Sequence, residues 1–220
     1  MKKKRASIDD LLKVMARLRS ARGCPWDREQ THMSLRRHAI EEVYELIDAI
    51  EARDDHEMAE ELGDLLLQVV FHCQLALERG AFDFERVCRL LVEKLVRRHP
   101  HVFGRTKVAN VDEVWANWER IKRAEKHGTP RARPSAFDGI PKHLPALMRA
   151  EKLIKKARKV FGEEPLEIPQ KRLNRKQLAE EVFALTECAE KGGWSAEELL
   201  SREIKIRERQ FRRREKREGH

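Results

Sequence analysis

Several common features are scarce in this 220-residue sequence, and each shortage excludes a class of protein. The four cysteines are widely scattered without a CxxC pair, which argues against a disulfide framework and against a zinc finger. No stretch approaches the roughly 20 apolar residues of a membrane span, and no apolar segment follows the basic start "MKKKRASIDD". We therefore expect a cytoplasmic protein with reduced thiols, no signal peptide and no membrane partner.

Signals for β-strands are also almost absent. Aromatic residues make up 6% of the chain, and the Val/Ile/Thr alternation that is typical of strands is nearly missing. Hydrophobic residues reach 40% and charged residues 39%, with only eight prolines and ten glycines. This balance is typical of a helix-rich protein with strongly charged outer faces. The predicted fold class is all-α, a helical bundle.

Helical periodicity occurs in two runs, separated by a proline-rich stretch. The first run begins with Ser7 and Asp10 at the spacing of a capping box, and "GCPWD" after its first helix is predicted to be a loop. Further helices are predicted at about 34–53, 56–79, 83–98, 111–126, 146–160, 173–191 and 195–217. Residues 128–147 hold four of the eight prolines and are predicted to be a linker or a surface loop. We expect a catalytic helical domain over 1–127 and a second helical region over 148–220.

The second region contains a weak echo of the first. "EELGDLLLQVV" resembles "KQLAEEVFALT", and each is followed by a glycine and a long basic helix. On this alignment Glu61 meets Gln177 and Asp64 meets Glu180, whereas nothing in the second region matches "EEVYE". We interpret residues 148–220 as a degenerate second repeat that keeps the packing without the chemistry.

Two acidic clusters lie on predicted helices next to apolar residues. Glu41 and Glu45 are one turn apart with Glu42 beside them, and Glu61 and Asp64 share one face of the next helix. The run "LLLQVVFHCQLAL" that follows predicts a buried helix, where acids are costly unless they are paired or bind a metal. A solvated acidic face is the alternative for the first cluster. No Lys or Arg is interleaved with the second cluster, which favours a bound cation.

This carboxylate set indicates the kind of cation. Five carboxylates without His or Cys at ligand spacing suit Mg²⁺, with Mn²⁺ as the substitute, and do not suit zinc. His72 continues the polar strip beyond Gln68, and we expect it to fill that strip rather than bind the metal. Because Mg²⁺ favours a few carboxylates together with substrate phosphates, the acids predict a site for a phosphorylated molecule.

The remainder of such a site should be basic, with Arg and Lys for phosphates and Trp for stacking on a base. The candidate substrate-binding residues are Trp26 in "GCPWD", Lys94, Arg97 and Arg98 in "EKLVRRHPH", and Asn117, Trp118 and Lys122 in "NWERIK". Ordinary helix-end charges and core packing are the alternative interpretation of the same residues.

Several long segments resemble the MazG family of nucleoside triphosphate pyrophosphohydrolases. They are "GCPWDREQTHMSLRRHAIEEVYELIDAI", "EELGDLLLQVVFHCQLALERGAFDF", "EKLVRRHPHVFG" and "WERIK", and "DGIPKHLPALMRAEK" resembles the join between the two repeats of full-length members. The resemblance is strong over residues 7–155 and partial over 156–220. It implies an all-α homodimer that cleaves a nucleoside triphosphate between the α and β phosphates with Mg²⁺, giving the monophosphate and pyrophosphate.

The resemblance also implies roles for particular residues. The EExxE…ExxD pattern of the family falls on Glu41, Glu42, Glu45, Glu61 and Asp64, as catalytic and metal-binding residues. Its basic and aromatic segments imply that Arg97, Arg98, Trp118 and Lys122 surround the nucleotide. Because the second repeat lacks the acidic helix, catalysis is expected in the first repeat, with residues 148–220 in a structural or dimer-supporting role.

Two other functions stay open at this point. A related all-α pyrophosphohydrolase acting on dUTP or phosphoribosyl-ATP has a similar pattern of acids. The net charge of +9, concentrated in "REIKIRERQFRRREKREGH" and "EKLVRRHPH", attracts polyanions such as nucleic acid. Nucleic-acid binding as the main function leaves the five acids unexplained, so it is expected only as a secondary activity of the basic tail.

Overall fold

The computed structural model describes residues 6–125, 128–129, 134–162 and 173–219. Every regular element within these ranges is a helix, which confirms the all-α prediction. In chain order the described helices are α1 (Ile8–Arg19), α2 (Pro25–Glu29), α3 (Arg36–Ala52), α4 (Asp55–Glu78), α5 (Phe84–Arg98), α6 (Pro100–Phe103), α7 (Val111–Ala124), α8 (Ala146–Phe161), α9 (Arg175–Lys191) and α10 (Ala196–Glu218). None of them is long and apolar enough to cross a membrane.

The long helices lie close to their predicted bounds because their ends are encoded locally. At α1 the backbone N–H of Asp10 donates to Ser7 Oγ at 3.4 Å, and the backbone N–H of Ser7 donates to Asp10 Oδ2 at 3.0 Å, which confirms the capping box. Asp83 caps α5 in the same way, accepting from the backbone N–H of Arg86 at 2.7 Å. The predicted continuation of α7 to Lys126, and part of the predicted linker (130–133), lie outside the described residues.

Two short helices were not predicted from the sequence. The prediction that "GCPWD" is a loop is wrong from Pro25 onward, because α2 begins there. α6 begins in the same way, at Pro100 directly after α5. In both cases proline occupies the first helical turn, where its missing N–H is not needed and its fixed φ favours the helix.

The chain divides into two compact units, Met1–Trp118 and Glu119–His220. In the first unit, α1 and α3 pack against α4, and the core is formed by Met15, Leu35, Val70, Phe71 and Leu75. The buried residues of α4 all lie in its second half, from Gln68 to Ala76. The prediction of a buried central helix is therefore correct for that half, whereas Leu62 and Leu66 in the first half are exposed.

A buried arginine ties three helices of the first unit together. Arg19 on α1 donates from Nε and Nη2 to the two carboxylate oxygens of Glu78 on α4, both at 2.7 Å. Its Nη1 donates to the backbone carbonyl of Asp27 on α2, and its guanidinium lies over the ring of Phe71 at 5.6 Å. The Arg19 hydrogen bond lowers the pKa of Glu78. Arg19 therefore links α2, and with it Trp26, to α4: it contacts α2 through the Asp27 carbonyl and α4 through the bidentate pair with Glu78.

The second unit has its own core around a cluster of phenylalanines. Phe137 is 1% exposed and stacks with Phe211 on α10, with ring centroids 5.5 Å apart. The segment before it is held by Glu215, which accepts from Ser135 Oγ at 2.6 Å and from the backbone N–H of Ala136 at 2.7 Å. Part of the stretch predicted to be a linker therefore packs into this core. The domain boundaries at 127 and 147 stay predictions.

Candidate metal centre

The acidic residues lie on a helical hairpin whose connection is only two residues long. Arg53 ends α3 in the left-handed region, at φ 57° and ψ 36°. Asp54 then caps α4, its Oδ1 accepting from the backbone N–H groups of His56 at 2.9 Å and Glu57 at 3.1 Å. A connection this short makes α3 and α4 antiparallel neighbours. The face of α3 that carries glutamates is thereby held against the first half of α4.

Three glutamates meet across this hairpin. One carboxylate oxygen each of Glu42, Glu45 and Glu61 lies within 4.8 Å of the other two. Glu42 and Glu61 are half-buried, and Glu45 is exposed. Like charges at such distances repel each other strongly unless a cation or a proton lies among them.

Electrostatics within this cluster raise two pKa values. Burial raises the pKa of Glu42, with further contributions from the charges of Asp64 and Glu45, and a hydrogen bond from Gln68 opposes the shift. Burial also raises the pKa of Glu61, followed by the charges of Glu45 and Asp64. Asp64 is thus near enough to act on both glutamates. For both glutamates burial is the largest cause of the raised pKa, and the negative charge of neighbouring acids adds to it.

A second observation points to a missing positive partner. Glu61 Oε2 is buried and has no hydrogen-bond partner among the described residues. Gln68, 7% exposed, donates from Nε2 to Glu42 Oε1 at 3.2 Å, while its own Oε1 is also buried and unpartnered among the described residues. Buried polar atoms of this kind require a partner, such as a bound water or ion. An oxygen-only set with an unsatisfied carboxylate fits a hard divalent cation of the Mg²⁺ type.

Two of the five predicted acids lie outside the three-carboxylate group: Asp64, whose charge still contributes to the raised pKa of Glu42 and Glu61, and Glu41. Glu41 is exposed, and its Oε2 lies 3.1 Å from Nδ1 of His38, one turn earlier on α3. It does not belong to the three-carboxylate group and does not contribute to the raised pKa of Glu42 or Glu61. A position next to Glu42 in the sequence lies about 100° away on the helix, which is enough to separate their side chains.

The polar strip on α4 ends in a pair of histidines. The ring of His72 stacks on that of His32, with an interplanar angle of 7° and their Nδ1 atoms 2.8 Å apart. Burial, followed by the charge of His32, lowers the pKa of His72. Neither histidine is in the carboxylate group. The placement agrees with the prediction that His72 fills the strip. Its partner His32 was not identified from the sequence, since it lies 40 residues away.

The predicted basic and aromatic residues fall in three places. Trp26 is half-exposed on α2, in edge contact with the rings of His38 at 6.0 Å and Phe71 at 6.5 Å. Lys94, Arg97 and Arg98 lie on the last two turns of α5. The guanidinium of Arg98 lies over the ring of Trp118 at 5.4 Å, so the structure brings one predicted pair together.

The remaining two predicted residues are on α7. Asn117 is half-buried at the end of the first unit. Lys122 belongs to the second unit, where its Nζ lies 3.2 Å from Glu119 Oε1, and the hydrogen bond from Lys122 contributes to the lowered pKa of Glu119. The pairing with a neighbour one turn away corresponds to the ordinary helix-surface interpretation of this lysine.

Comparison with known proteins gives these residues a context. The family model described as the MazG nucleotide pyrophosphohydrolase domain matches residues 30–103. Over this range the chain is similar to the MazG family. The matched range contains all five predicted acids together with Lys94, Arg97 and Arg98 of α5, whereas Trp26 and the predicted residues of α7 lie outside it.

Relatives of known name extend this similarity beyond the MazG domain itself. The chain is 49% identical over 154 residues to the nucleoside triphosphate pyrophosphohydrolase of Escherichia coli (strain K12), covering 70% of this chain and 58% of that protein. It is 48% identical over 160 residues to the nucleoside triphosphate pyrophosphohydrolase/pyrophosphatase MazG of Thermotoga maritima, covering 73% of this chain and 60% of that protein. The chain therefore spans about three fifths of the length of these MazG relatives.

Among solved structures, a mazG-related protein from Thermotoga maritima matches 52% of this chain and 97% of its own length. The sequence identity is 27% and the TM-score is 0.45.

Proposed function

We propose that the first unit hydrolyses nucleoside triphosphates between the α and β phosphates, releasing the nucleoside monophosphate and pyrophosphate. The observation that carries the proposal is the cluster of Glu42, Glu45 and Glu61, whose carboxylates converge within the matched MazG domain. The names of the two relatives supply the reaction class, nucleoside triphosphate pyrophosphohydrolysis. The bond that is cleaved, between the α and β phosphates, and the dependence on a particular ion go beyond this reaction class and are part of our proposal.

The residues that would hold the cation are the three clustered glutamates and Asp64, and the ion we propose is Mg²⁺, with Mn²⁺ as a substitute. The fit rests on the unpartnered Oε2 of Glu61, the raised pKa values of Glu42 and Glu61 and the absence of nitrogen or sulfur from the cluster. When bound, such an ion supplies positive charge that stabilises the triphosphate and acidifies a nearby water.

The chain itself supplies the orientation of the attacking water. We assign that role to Glu42, because its carboxylate is held by Gln68 at 3.2 Å and lies beside the other acids. Glu41 is the less favoured alternative, because its carboxylate contacts His38 at 3.1 Å and is not in the three-carboxylate group. In either case the carboxylate accepts the proton of the water as the water oxygen bonds to the α phosphorus. The bond from that phosphorus to the bridging oxygen breaks, and pyrophosphate leaves.

Basic residues would offset the charge that develops on the leaving pyrophosphate. Lys94, Arg97 and Arg98 are grouped at the end of α5, where Arg supplies bidentate contacts and Lys a point charge. Arg98 and Trp118 already share a contact, which supports a common surface for phosphate and base. Roles for Trp26, Asn117 and Lys122 rest on the motif resemblance alone.

The hairpin of α3 and α4 also supports the proposal of a homodimer. Tyr44, Ile47 and Ile50 on α3 and Leu62 and Leu66 on α4 are between 38% and 53% exposed. An apolar face of this extent on two paired helices is typical of a protein interface. Ile47→Glu should shift the protein from dimer to monomer in size-exclusion chromatography with light scattering. Val102→Glu, at a more exposed apolar site on α6, is the control.

A dimeric mass for Ile47→Glu, or a monomeric mass for the unchanged protein, would contradict the proposed dimer interface.

For the second unit we propose a structural role, as a degenerate repeat without the acidic helix. Residues 1–130 alone should then lose the native oligomeric state or part of their helical signal in circular dichroism. If the fragment keeps both, the structural role is wrong.

The reaction is tested with a panel of ribo- and deoxyribonucleoside triphosphates, each incubated with Mg²⁺ and with EDTA. Products are resolved by ion-pairing chromatography and phosphorus NMR. We expect monophosphate and pyrophosphate with Mg²⁺ and no turnover with EDTA, and the panel ranks the substrates, including dUTP. Diphosphate and orthophosphate would show cleavage at another bond, and no turnover of any triphosphate would overturn the proposal.

A further inference from the structure

A row of exposed cations runs along one face of α10. Lys205, Arg209, Arg213 and Arg217 follow one another at four-residue spacing, and Lys216 lies beside them. At 3.6 residues per turn, the five side chains fall within about 120° of the helix circumference. All five are exposed, and none belongs to the metal centre or to the phenylalanine core. We call these five residues the basic stripe.

The other cations of α10 are arranged differently. Arg207 Nε lies 2.6 Å from Glu203 Oε1, and Arg212 Nη2 lies 2.8 Å from Glu208 Oε1. Each of these arginines pairs with an acid one turn earlier on the same helix. Within the described residues, no member of the basic stripe takes part in an ion pair. The arginines of α10 outside the basic stripe therefore pair with acids of the chain, whereas the five cations of the stripe are uncompensated among the described residues.

This arrangement opposes the stability of the isolated helix. Like charges four residues apart repel each other, and the basic stripe contains three such pairs in succession, from Lys205 to Arg217. The helix dipole favours cations only in the last turn, which accounts for Lys216 and Arg217 but not for Lys205 or Arg209. A bound anion would remove the repulsion along the whole row.

The length of the basic stripe indicates the size of that anion. Twelve residues separate Lys205 from Arg217, which corresponds to about 18 Å along the helix axis at 1.5 Å per residue. One nucleotide can contact only part of such a row. A ligand that contacts all five cations carries repeated negative charges along its length.

The surroundings of the basic stripe favour nucleic acid over the two other kinds of partner, a membrane surface and a protein. A membrane-bound amphipathic helix inserts its apolar face, but Ile204 and Phe211 of α10 are 3% and 5% exposed within the core of the second unit. A protein partner would need an apolar centre to its interface, and on this face Ile206, 41% exposed, is a single apolar residue among the cations. Phosphate groups repeated along a nucleic-acid strand supply the series of negative charges that a row of cations can contact, and Arg binds them through its planar fork.

We propose that the basic stripe of α10 binds the phosphate backbone of single-stranded nucleic acid without preference for base. One narrow row of cations follows one strand of phosphates. The stripe contains no aromatic side chain on which bases can stack, so it offers little discrimination among them. This binding is separate from the proposed hydrolysis, because none of the five residues is placed in the metal centre.

The experiment uses the full chain and fluorescence anisotropy with labelled RNA and DNA single strands of about 20 nucleotides, longer than a typical single-module site. The test variant is Lys205→Gln/Arg209→Gln/Arg213→Gln. The control is Lys176→Gln/Lys191→Gln/Arg207→Gln, which removes the same charge from exposed, ion-paired positions of the second unit. Circular dichroism checks that both variants keep their helices.

We expect the unchanged protein to bind every strand with an affinity that falls as salt is raised from about 50 to 200 mM. Loss of three phosphate contacts should reduce the slope of log affinity against log salt by about 2, at about 0.7 per contact. The affinity of the test variant at the lower salt should fall more than tenfold, whereas the control should keep its slope.

Three results would overturn the proposal. The first is no binding by the unchanged protein at the lower salt, and the second is an equal loss of affinity in the two variants. The third is binding to vesicles with anionic headgroups without binding to any nucleic acid. Triphosphate hydrolysis by the test variant should remain unchanged, so that a failure here is distinct from a failure of the proposed active site.

Discussion

Two helices with related sequences, α4 in the first unit and α9 in the second, use corresponding positions differently. Glu61 and Asp64 of α4 are half-buried, and burial and neighbouring acids raise the pKa of Glu61. On α9 the aligned Gln177 forms a capping box with Asn174, with both hydrogen bonds at 3.0 Å. The aligned Glu180 lies in solvent, 3.8 Å from Lys176. The acids of α4 therefore lie near other acids, whereas the aligned residues of α9 form a capping box and an ion pair within their own helix.

The difference comes from the neighbour of each helix. α4 lies along α3, which brings Glu42 and Glu45 against it. Among the described helices α9 instead contacts α10, and its own apolar side chains Leu178, Val182 and Phe183 are exposed. An acid on a single helix, such as Glu180, therefore makes no carboxylate cluster by itself in the described part of the chain. A second acidic helix, packed antiparallel, is what completes a cluster.

The largest expected effect is a loss of activity at Asp64 of α4 that does not occur at the aligned Glu180 of α9. Asp64→Asn should reduce kcat/KM for triphosphate hydrolysis by more than about 100-fold, because loss of a metal ligand exceeds the 10–100-fold cost of losing an outer partner. Glu42→Gln should have a similar effect. The matched change in the second unit, Glu180→Gln, should leave activity unchanged. Steady-state kinetics measure each effect, with circular dichroism as the check on folding.

Full activity in Asp64→Asn would remove that residue from the site. A large loss in Glu180→Gln would show that α9 takes part in the chemistry, and the contrast between the two helices would fail.

The next largest effect is on Mg²⁺ affinity, and it should distinguish Gln68 of α4 from Gln177 of α9. Gln68→Met removes the hydrogen bond that holds Glu42, so we expect Mg²⁺ affinity to fall by about 10–100-fold in isothermal titration calorimetry. Gln177→Met, which breaks the capping box of α9, should cost about 0.5–1 kcal/mol of unfolding free energy and leave Mg²⁺ affinity unchanged. Equal affinity in all three proteins would show that Gln68 does not position the carboxylate.

A smaller effect distinguishes adjacent residues within α3. Glu41→Gln should lower kcat by less than about tenfold, below the 10²–10⁴-fold contribution of a general base, because Glu41 lies outside the carboxylate group. Kinetic measurement of kcat for Glu41→Gln and for Glu42→Gln under the same conditions provides the comparison. A loss of a hundredfold or more in Glu41→Gln would transfer the role of orienting the water to Glu41.

The smallest effect is on stability and pH. A carboxyl group whose pKa is raised by folding binds more protons in the folded than in the unfolded state, so stability falls as pH rises from the unfolded value to the raised one. The pKa of Glu61 is raised from 4.5, so Glu61→Gln should raise the Tm of the metal-free protein at neutral pH. The difference should vanish below pH 4.5. Glu180→Gln serves as the control.

Scanning calorimetry in EDTA measures these Tm values. A lower Tm for Glu61→Gln at neutral pH would mean that its carboxylate has a stabilising partner in the metal-free protein.

Much of the fold could be predicted from the sequence because its signals are local. The capping box of Ser7 and Asp10 and the acidic cap at Asp83 define helix starts through contacts spanning three residues. The missed helices, α2 and α6, begin at prolines, which end one element and begin another equally well. Phe137 was assigned to a linker because prolines surround it, and only its packing against α10 reveals a core residue.

The sequence by itself determined that this chain is helical and that five acids lie on the faces of two helices, since both follow from spacing along one chain. The tertiary structure alone decided which acids meet. The connection at Arg53 and the packing of α3 on α4 bring Glu42, Glu45 and Glu61 together and leave Glu41 beside His38. Distances between helices depend on the side chains packed between them, and no local pattern encodes those distances.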